Sequence, residues 1–189
     1  MVTDDRPQDS IEIENVVASS AIGQELALES LAMDLKGADY DPEQFPGLVY
    51  RTTDPKSAAL IFRSGKIVCT GAKSVENVHK SLQIVFGKLR DLQIEVEEGP
   101  EITVQNIVSS ADLGRSLNLN AIAIGLGLEN IEYEPEQFPG LVYRLDKPEV
   151  VALLFGSGKL VVTGGKEIDD ARQAIDVIVE RLEDLGLLE

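Results

Sequence analysis

Side chains that could perform covalent, redox or metal chemistry are few in this sequence, and they are isolated from one another. The chain has one cysteine, Cys69, and one histidine, His79, and His79 has no His, Cys or Asp cluster near it in the sequence. Glycine-rich phosphate loops of the GxxxxGKS or GxGxxG type do not occur, and the pair Gly125 and Gly127 alone is a weak signal. A hydrolase or a redox enzyme needs a poised nucleophile, base or metal cluster. The sequence therefore favours a protein that is not an enzyme and predicts no cofactor.

Residues that could bind rather than react recur in two matched sets, because the chain is a tandem duplication. The decapeptide PEQFPGLVYR occurs at 42–51 and again at 135–144. The offset between the copies is 106 − 15 = 91 near their start and 138 − 45 = 93 later, so the second copy carries a two-residue insertion. Copies of this length are too long for solenoid repeats, and each should form half of a domain. The predicted organisation is an acidic N-terminal tail over residues 1–10, a first repeat over 11–98 and a second repeat over 99–189.

The hydropathy pattern of each copy predicts the element order β-α-β-β-β-β-α. A short helix is predicted within Gly23–Lys36, and a long helix over Ser74–Leu92 has Ser74 as its N-cap. The apolar face predicted for the long helix comprises Val75, Val78, Leu82, Val85, Phe86 and Leu89. The strands predicted in the first copy are Ile11–Val17, a short strand within Asp39–Gln44, Leu48–Thr52, Ser57–Phe62 and Lys66–Thr70.

Two such copies could join their antiparallel strands into one sheet with helices on one face, which is an α+β fold. The opposite face should be polar if it meets only water. Both alternating sets of the central strands are largely apolar, however, so an uncovered apolar face remains. Such a face predicts a ligand, a partner or a nucleic-acid groove, and burial in a sandwich or a dimer is the alternative. The apolar residues concerned are Leu60, Phe62, Val68, Leu153, Phe155 and Val161.

The charge balance is strongly acidic, with 17 Lys+Arg against 33 Asp+Glu and a net charge of −16. On its own this balance argues against nucleic-acid binding, which favours a basic surface. Excess carboxylates also keep proteins solvated in a high-salt cytoplasm, and the low aromatic content of 5% fits that origin. The composition therefore indicates a halophilic source, with a moderately acidic mesophilic protein as the alternative.

The remaining composition indicates a globular protein of the cytoplasm. The hydrophobic fraction of 43% is enough for a core. No apolar run approaches the ~20 residues that a membrane-spanning helix needs, and the first residues do not resemble a secretion signal. A single cysteine excludes a disulfide within the chain. The expected localisation is cytoplasmic, without a membrane partner.

The repeated motifs resemble those of the TATA-box-binding proteins, in the archaeal form without a long N-terminal extension. The resemblance extends from about Ile11 to Leu187 and includes EQFPGLVYR, LIF-x-SGK, TGAK and QNIV in the family's order. It implies a saddle made of one ten-stranded curved antiparallel sheet, with helices on the convex face and a concave face for the DNA minor groove. Combined with the charge, it implies an archaeal and halophilic member of this family.

The resemblance implies that four phenylalanines insert between base steps and kink the duplex: Phe45, Phe62, Phe138 and Phe155. The spacing within the two pairs is equal, since 62 − 45 = 17 and 155 − 138 = 17. An ordinary core position is the alternative for each ring.

Further roles follow from the same resemblance. An apolar floor with amide and hydroxyl donors would accept A·T and T·A pairs and reject G·C. The implied base-contacting residues are Asn15, Val17, Leu60, Val68, Thr70, Asn106, Val108, Leu153, Val161 and Thr163. The implied phosphate contacts are Arg51, Ser64, Lys66, Arg144, Ser157 and Lys159. The alternative for the valines and leucines is simple β propensity, and for the asparagines it is a turn or cap. The alternative for the phosphate contacts is a solvated surface charge.

The implied function is that of a general transcription initiation factor. It would bind A·T-rich TATA-box promoter DNA in the minor groove, bend it, and recruit transcription factor B and, through it, RNA polymerase. The loop residues Glu134, Glu136 and Gln137 align with the site for transcription factor B, although relatives often carry leucine at the position of Gln137. Such a protein would act at the nucleoid. A saddle domain adapted to bind a protein, and a homodimer of the free protein through its apolar face, are the alternatives.

Overall fold

A computed structural model describes residues 7–188. Most of the predicted acidic tail, residues 1–6, lies outside the described residues, as does residue 189. Within the tail, Pro7–Ser10 forms a short 3-10 helix. None of the helices between residues 7 and 188 is long and apolar enough to cross a membrane.

Both copies have the predicted order β-α-β-β-β-β-α. The first copy contains β1 (Glu12–Ala21), α1 (Leu28–Asp34), β2 (Ala38–Asp39), β3 (Leu48–Thr53), β4 (Lys56–Ile61), β5 (Lys66–Ala72) and α2 (Val75–Asp91). The second copy contains β6 (Thr103–Asp112), α3 (Leu119–Leu126), β7 (Ile131–Glu132), β8 (Leu141–Asp146), β9 (Glu149–Leu154), β10 (Lys159–Gly165) and α4 (Ile168–Asp184).

The strands form the ten-stranded sheet that the duplication predicts, in the order β2-β3-β4-β5-β1-β6-β10-β9-β8-β7. The α+β class is therefore confirmed. Two compact units share the chain: one is Asn15–Gln105, and the other joins the described residues before Asn15 to those from Asn106 onward. The strands β1 and β6 each contribute to both units, because the unit boundaries fall within these two strands.

One face of each half of the sheet lies under a long helix. In the first copy, α2 packs on β4 and β5, and the strand residues Ala59, Ile61 and Ile67 on that face are fully buried. The predicted N-cap is confirmed, because the Ser74 side chain accepts a hydrogen bond from Asn77 N at 3.0 Å. The predicted inward position of Val75 is wrong. Helical side chains lean toward the N-terminus, so the side chain of this first helical residue projects past the end of the helix and is exposed.

The first short helix, α1, lies within the predicted range Gly23–Lys36, toward the end of that range. Before α1, the chain is hydrogen-bonded to the β4–β5 hairpin. Ile22 N donates to Gly65 O at 3.1 Å, and Leu26 N donates to Arg63 O at 2.8 Å. These bonds tie residues 22–26 to the hairpin, and α1 begins after them, at Leu28. Gly65 has a positive φ of 89° and lies against the Gln24 carbonyl, where a Cβ would clash. This contact fixes the hairpin that carries two of the predicted phosphate contacts.

Candidate nucleic-acid interface

The four phenylalanines form two edge-to-face pairs, one in each copy. Phe45 lies just before β3 and Phe62 just after β4. The antiparallel register Leu48↔Ile61 brings these two ends together. Their ring centroids lie 5.9 Å apart with an interplanar angle of 66°, and the corresponding values for the second pair are 5.9 Å and 70°. Edge-to-face packing of this kind adds about 0.5–1.5 kcal/mol to a pair.

The first ring of each pair is the more exposed one. Phe45 is 36% exposed and Phe138 is 39% exposed, whereas Phe62 and Phe155 are partly buried. The alternative that each phenylalanine is an ordinary core residue therefore does not fit Phe45 and Phe138. Each pair presents an apolar edge that a flat apolar surface could stack against.

A glycine beneath each pair is a functional candidate that the sequence analysis missed. A Cβ on Gly140 would lie 2.8 Å from Phe138 Cε1 and 2.9 Å from Phe155 Cε1, and a Cβ on Gly47 would lie 2.8 and 3.1 Å from the equivalent ring atoms. Three of these four distances are shorter than real Cβ contacts and the fourth is tighter than most of them, so the rings need the empty space that glycine leaves. The Pro-Gly pair reads as a turn signal in sequence. The sequence did contain a clue to this role, because in both copies the glycine lies two residues after the first phenylalanine of the pair.

The predicted asparagines and threonines lie at irregularities in β5 and β10. The register of β1 against β5 shifts between Val16 and Ala18, so that Thr70 and Gly71 together oppose Val17. The Asn15 side chain holds this irregularity. Its Oδ1 accepts from Gly71 N at 2.7 Å, and its Nδ2 donates to Thr70 Oγ1 at 3.1 Å. The asparagine therefore does not form a turn or a helix cap, and its side chain binds the bulge of the neighbouring strand.

The second copy repeats this arrangement. Asn106 Oδ1 accepts from Gly164 N at 2.6 Å, and Nδ2 donates to Thr163 Oγ1 at 3.1 Å. Because a backbone N–H can only donate, it fixes which amide atom is the oxygen. One Nδ2 hydrogen on each asparagine therefore has no partner among the described residues. The threonine hydroxyls also donate back to the amide oxygens, at 3.5 Å from Thr70 Oγ1 to Asn15 Oδ1 and at 3.4 Å from Thr163 Oγ1 to Asn106 Oδ1, and these long bonds could be exchanged for a closer acceptor.

The predicted apolar floor lies on the face that the long helices leave uncovered. Leu60 pairs with Val68 in the register of β4 and β5, and Leu153 pairs with Val161 in that of β9 and β10. All four are partly exposed, unlike their fully buried neighbours on the helix side. Val17 and Val108 are also partly exposed. Each copy thus presents partly exposed valine and leucine side chains together with its asparagine and threonine.

The predicted phosphate contacts are all exposed, on β3 and β8 and on the two SGK hairpins. Ser64 Oγ accepts from Lys66 N at 3.3 Å, and Ser157 Oγ accepts from Lys159 N at 3.5 Å, which leaves both hydroxyl hydrogens free to donate. Arg144 has an acidic neighbour, with its Nη2 at 3.6 Å from Glu132 Oε1. These residues are few and widely exposed, and they supply the cationic and hydroxyl donors expected at a phosphate-binding edge.

The loop with the predicted partner residues has the same form in both copies. Phe138 N and Gln137 N both donate to Glu134 O, at 2.9 and 3.0 Å, just as Phe45 N and Gln44 N donate to Asp41 O. Residues Glu134, Glu136 and Gln137 are exposed. The loop is therefore an accessible acidic surface next to each phenylalanine pair.

The two copies differ beside the phenylalanine pairs. Arg63 of the first copy donates to Glu29 through Nη2 at 2.6 Å and Nη1 at 3.3 Å, and Nη2 also lies 3.4 Å from Tyr40 Oη. This hydrogen-bonded pair lowers the pKa of Glu29 and raises that of Arg63. Gly156 stands at the equivalent place in the second copy, which therefore has no such ion pair.

The isolated chemical groups remain isolated in the structure. No cluster of three potential metal ligands occurs among residues 7–188. Cys69 is buried, and its burial raises the pKa of the thiol. A buried thiol with a raised pKa is unreactive and packs as a small hydrophobic residue.

Comparison with known proteins identifies the family. The family described as "Transcription factor TFIID (or TATA-binding protein, TBP)" matches residues 10–92 and 101–185. A TATA-box-binding protein of Haloarcula marismortui is 82% identical over 97% of this chain and 98% of its own length. TATA-box-binding protein E of Halobacterium salinarum is 80% identical over 97% of this chain and 98% of its own length. These relatives come from halophilic archaea, in agreement with the halophilic source that the composition predicts and the archaeal type that the resemblance implies.

The fold comparison agrees. The solved structure of Methanococcus jannaschii TBP superposes with a TM-score of 0.82 at 53% identity, over 93% of this chain and 99% of that one. The family consists of DNA-binding transcription factors and not of enzymes. From its sequence, its fold and both kinds of relative, this chain belongs to the TATA-box-binding protein family.

Proposed function

We propose that this chain is a general transcription initiation factor that binds A·T-rich TATA-box promoter DNA through the minor groove. The observation that carries the proposal is the uncovered sheet face of each copy. It combines an apolar floor, a fixed amide donor and a hydroxyl donor with a half-exposed pair of phenylalanines. The minor groove of A·T pairs offers only the acceptors A N3 and T O2, which match these donors. Guanine adds an amino donor, which this face would leave without a partner.

The phenylalanine pairs would bend the DNA. Members of this family are established examples of minor-groove proteins that insert apolar wedges at base steps. In this chain Phe45 and Phe138 are the rings with open faces, and Phe62 and Phe155 support them edge-on. Unstacking a base step costs a few kcal/mol, which the additional buried surface would offset.

The phosphate-facing residues would fix the position of the protein on the duplex without reading sequence. Arg51, Lys66 and Lys159 form no ion pair with a carboxylate of residues 7–188, so their charges are available for the DNA. The hydroxyl groups of Ser64 and Ser157 would add one donor each.

The acidic loop around Glu134, Glu136 and Gln137 would bind transcription factor B, and RNA polymerase would follow indirectly. The exposed carboxylates suit a basic partner surface. The protein would then act at the nucleoid of a cytoplasm rich in salt. A protein ligand or a second copy on the apolar face are the competing occupants.

The central experiment compares Phe155→Ala with Lys73→Ala for bending of a doubly labelled TATA duplex. Phe155→Ala is expected to reduce the bend strongly, because it removes one wedge and the support for Phe138. Lys73→Ala should leave the bend nearly unchanged, since Lys73 is an exposed residue away from the rings. Fluorescence energy transfer between the duplex ends measures the bend. Equal bending by both variants would contradict the wedge assignment, and failure of the wild-type protein to bind TATA duplex would contradict the function as a whole.

The asparagine donors provide an independent prediction. In Asn106→Asp a carboxylate oxygen can still accept from Gly164 N, but the donor toward the groove is replaced by a negative acceptor. Affinity for the TATA duplex is expected to fall by roughly 1.5–3 kcal/mol, about ten- to a hundredfold. Fluorescence anisotropy with a labelled duplex measures the loss.

The matched control is Asn118→Asp. Asn118 caps α3 by accepting from Ala121 N at 3.1 Å, and aspartate is as good an N-cap as asparagine. This variant carries the same change in charge and should bind DNA like the wild type. Equal losses in both variants would assign the effect to net charge and would remove Asn106 from the base-contacting set.

A further inference from the structure

The second copy has an apolar surface on its short helix that the first copy lacks. Ile124 is 83% exposed and Leu128 is 84% exposed, and both lie at the C-terminal end of α3 or just after it. Leu185, also exposed, lies against Gly125, the residue that follows Ile124, because a Cβ on Gly125 would be only 2.8 Å from Leu185 Cδ1. We refer to Ile124, Leu128 and Leu185 as the α3 patch. Large exposed apolar residues that cluster in this way are typical of an interaction surface.

The charge around the α3 patch is unusual for this chain. None of the residues in Ser116–Leu128 is charged, although the chain as a whole carries 50 charged side chains, 17 basic and 33 acidic. A protein that relies on surface carboxylates for its solubility is expected to carry charged residues in an exposed stretch of this length unless the stretch contacts another molecule. The lack of charge therefore points to contact with another molecule.

The equivalent place in the first copy is different in both charge and length. Met33, the counterpart of Ile124, is also exposed, at 87%. It stands, however, between charged residues, with Glu29 paired to Arg63 and with Asp34 next to it. Between Leu35 and Ala38 the first copy has two residues, whereas the second has four, Gly127–Asn130, between Leu126 and Ile131. Leu128 belongs to this insertion and has no counterpart in the first copy.

The chain passes directly from the α3 patch to the acidic loop of the second copy. Glu129 follows Leu128, and Glu132, Glu134 and Glu136 follow within eight residues of it. All four carboxylates are exposed. A surface with an apolar centre and an acidic border is complementary to a protein element with apolar side chains bordered by lysine and arginine.

We infer that the α3 patch is a second contact surface for the basic protein that binds the acidic loop, and that it directs this protein to the second copy. The loops differ little, because PEQFPGLVYR is identical in both copies, Asp41 replaces Glu134 with the same charge, and both loops have the same backbone hydrogen bonds. The patch next to one loop is a feature that distinguishes them. This inference rests on the proposed recruitment of transcription factor B.

The experiment uses purified transcription factor B from a halophilic archaeon and a TATA duplex in high KCl. The double variant Ile124→Ser/Leu128→Ser is expected to bind the duplex like the wild type but to form the ternary complex about tenfold or more weakly, since apolar anchors dominate the energy of such interfaces. Met33→Ser, the equivalent exposed position of the first copy, should have no effect on either step. Gel mobility shifts and anisotropy report both steps separately.

Three results would overturn the inference. If Glu134→Lys/Glu136→Lys blocks the ternary complex while the Ile124→Ser/Leu128→Ser variant does not weaken it, the loop recruits the factor and the patch has no part in it. If neither variant affects the ternary complex, the proposed role of the loop fails as well. If the wild type without DNA sediments as a dimer that Ile124→Ser/Leu128→Ser converts to a monomer, the patch is occupied by a second copy of this chain.

Discussion

Affinity for an A·T-rich duplex is expected to persist, or even to rise, as KCl is increased to molar concentrations. The four proposed phosphate-contacting cations are Arg51, Lys66, Arg144 and Lys159, and they belong to a chain with a net charge of −16. Repulsion between this acidic body and the DNA weakens as salt screens it, because the Debye length falls to about 3 Å at 1 M. The apolar contacts of the sheet face and the phenylalanine pairs do not depend on that screening. Anisotropy titrations of a labelled TATA duplex across the KCl range measure the effect.

A steep loss of affinity with rising KCl would contradict this expectation, and its size can be calculated. If four phosphate contacts governed affinity through counterion release, the logarithm of the binding constant would fall with a slope of about −3.6 against the logarithm of salt. Between 0.1 and 2 M KCl that slope corresponds to a loss of roughly four to five orders of magnitude. A G·C-rich duplex of equal length serves as the control for non-specific binding. A steep loss of this size for the TATA duplex would show that ordinary phosphate attraction dominates.

Gly140→Ala is expected to impair DNA bending although it adds only a methyl group. The new Cβ would lie 2.8 and 2.9 Å from the two phenylalanine rings and 3.3 Å from Leu154 O, so both rings must move. Overpacking of this kind costs about 1–3 kcal/mol, and the half-exposed rings can relieve it by turning away from their present geometry. We expect about ten- to a hundredfold weaker binding of the TATA duplex, a smaller bend and little change in the free energy of unfolding.

Gly87→Ala is the matched control. Gly87 lies within α2, and a Cβ there meets no atom within 4 Å. This substitution should raise the free energy of unfolding by up to about 1 kcal/mol, since alanine favours helix over glycine, and it should leave binding and bending unchanged. Gly47→Ala should reproduce the effect of Gly140→Ala on the other pair. Wild-type bending by Gly140→Ala would show that the rings do not need this support.

Periodic patterns in the sequence predicted which strands and helices form, but they did not predict where these elements begin and end. Alternating residues located the strands, yet β1 continues to Ala21, beyond the predicted end at Val17, because the polar Ser19 and Ser20 interrupt the apolar signal. The start of α1 depends on hydrogen bonds to Arg63 and Gly65, which are distant in sequence. Tertiary bonds of this kind leave no local trace, and so the boundaries could not be predicted.

The candidate site was partly visible in sequence for a similar reason. Duplication marked the phenylalanines, asparagines and threonines, since each recurs in the second copy, at an offset of 106 − 15 = 91 for the asparagines and 138 − 45 = 163 − 70 = 93 for the others. The role of Gly47 and Gly140 was not visible, because a glycine that provides room for two rings reads like a glycine in a turn. The α3 patch was likewise hidden, as exposure of Ile124 and Leu128 is a property of the folded surface and apolar residues in a helix normally predict burial.

The bond between each asparagine oxygen and a backbone N–H has a consequence for how faithfully promoters are distinguished. A free amide can rotate by half a turn and exchange donor for acceptor, which would let it meet the amino group of guanine. Gly71 N and Gly164 N forbid that rotation, because inversion would set a donor against a donor. If these asparagines contact bases as proposed, the cost of a mismatched G·C step is set by the main chain of the folded protein, and rotation of the amide on binding would not reduce it.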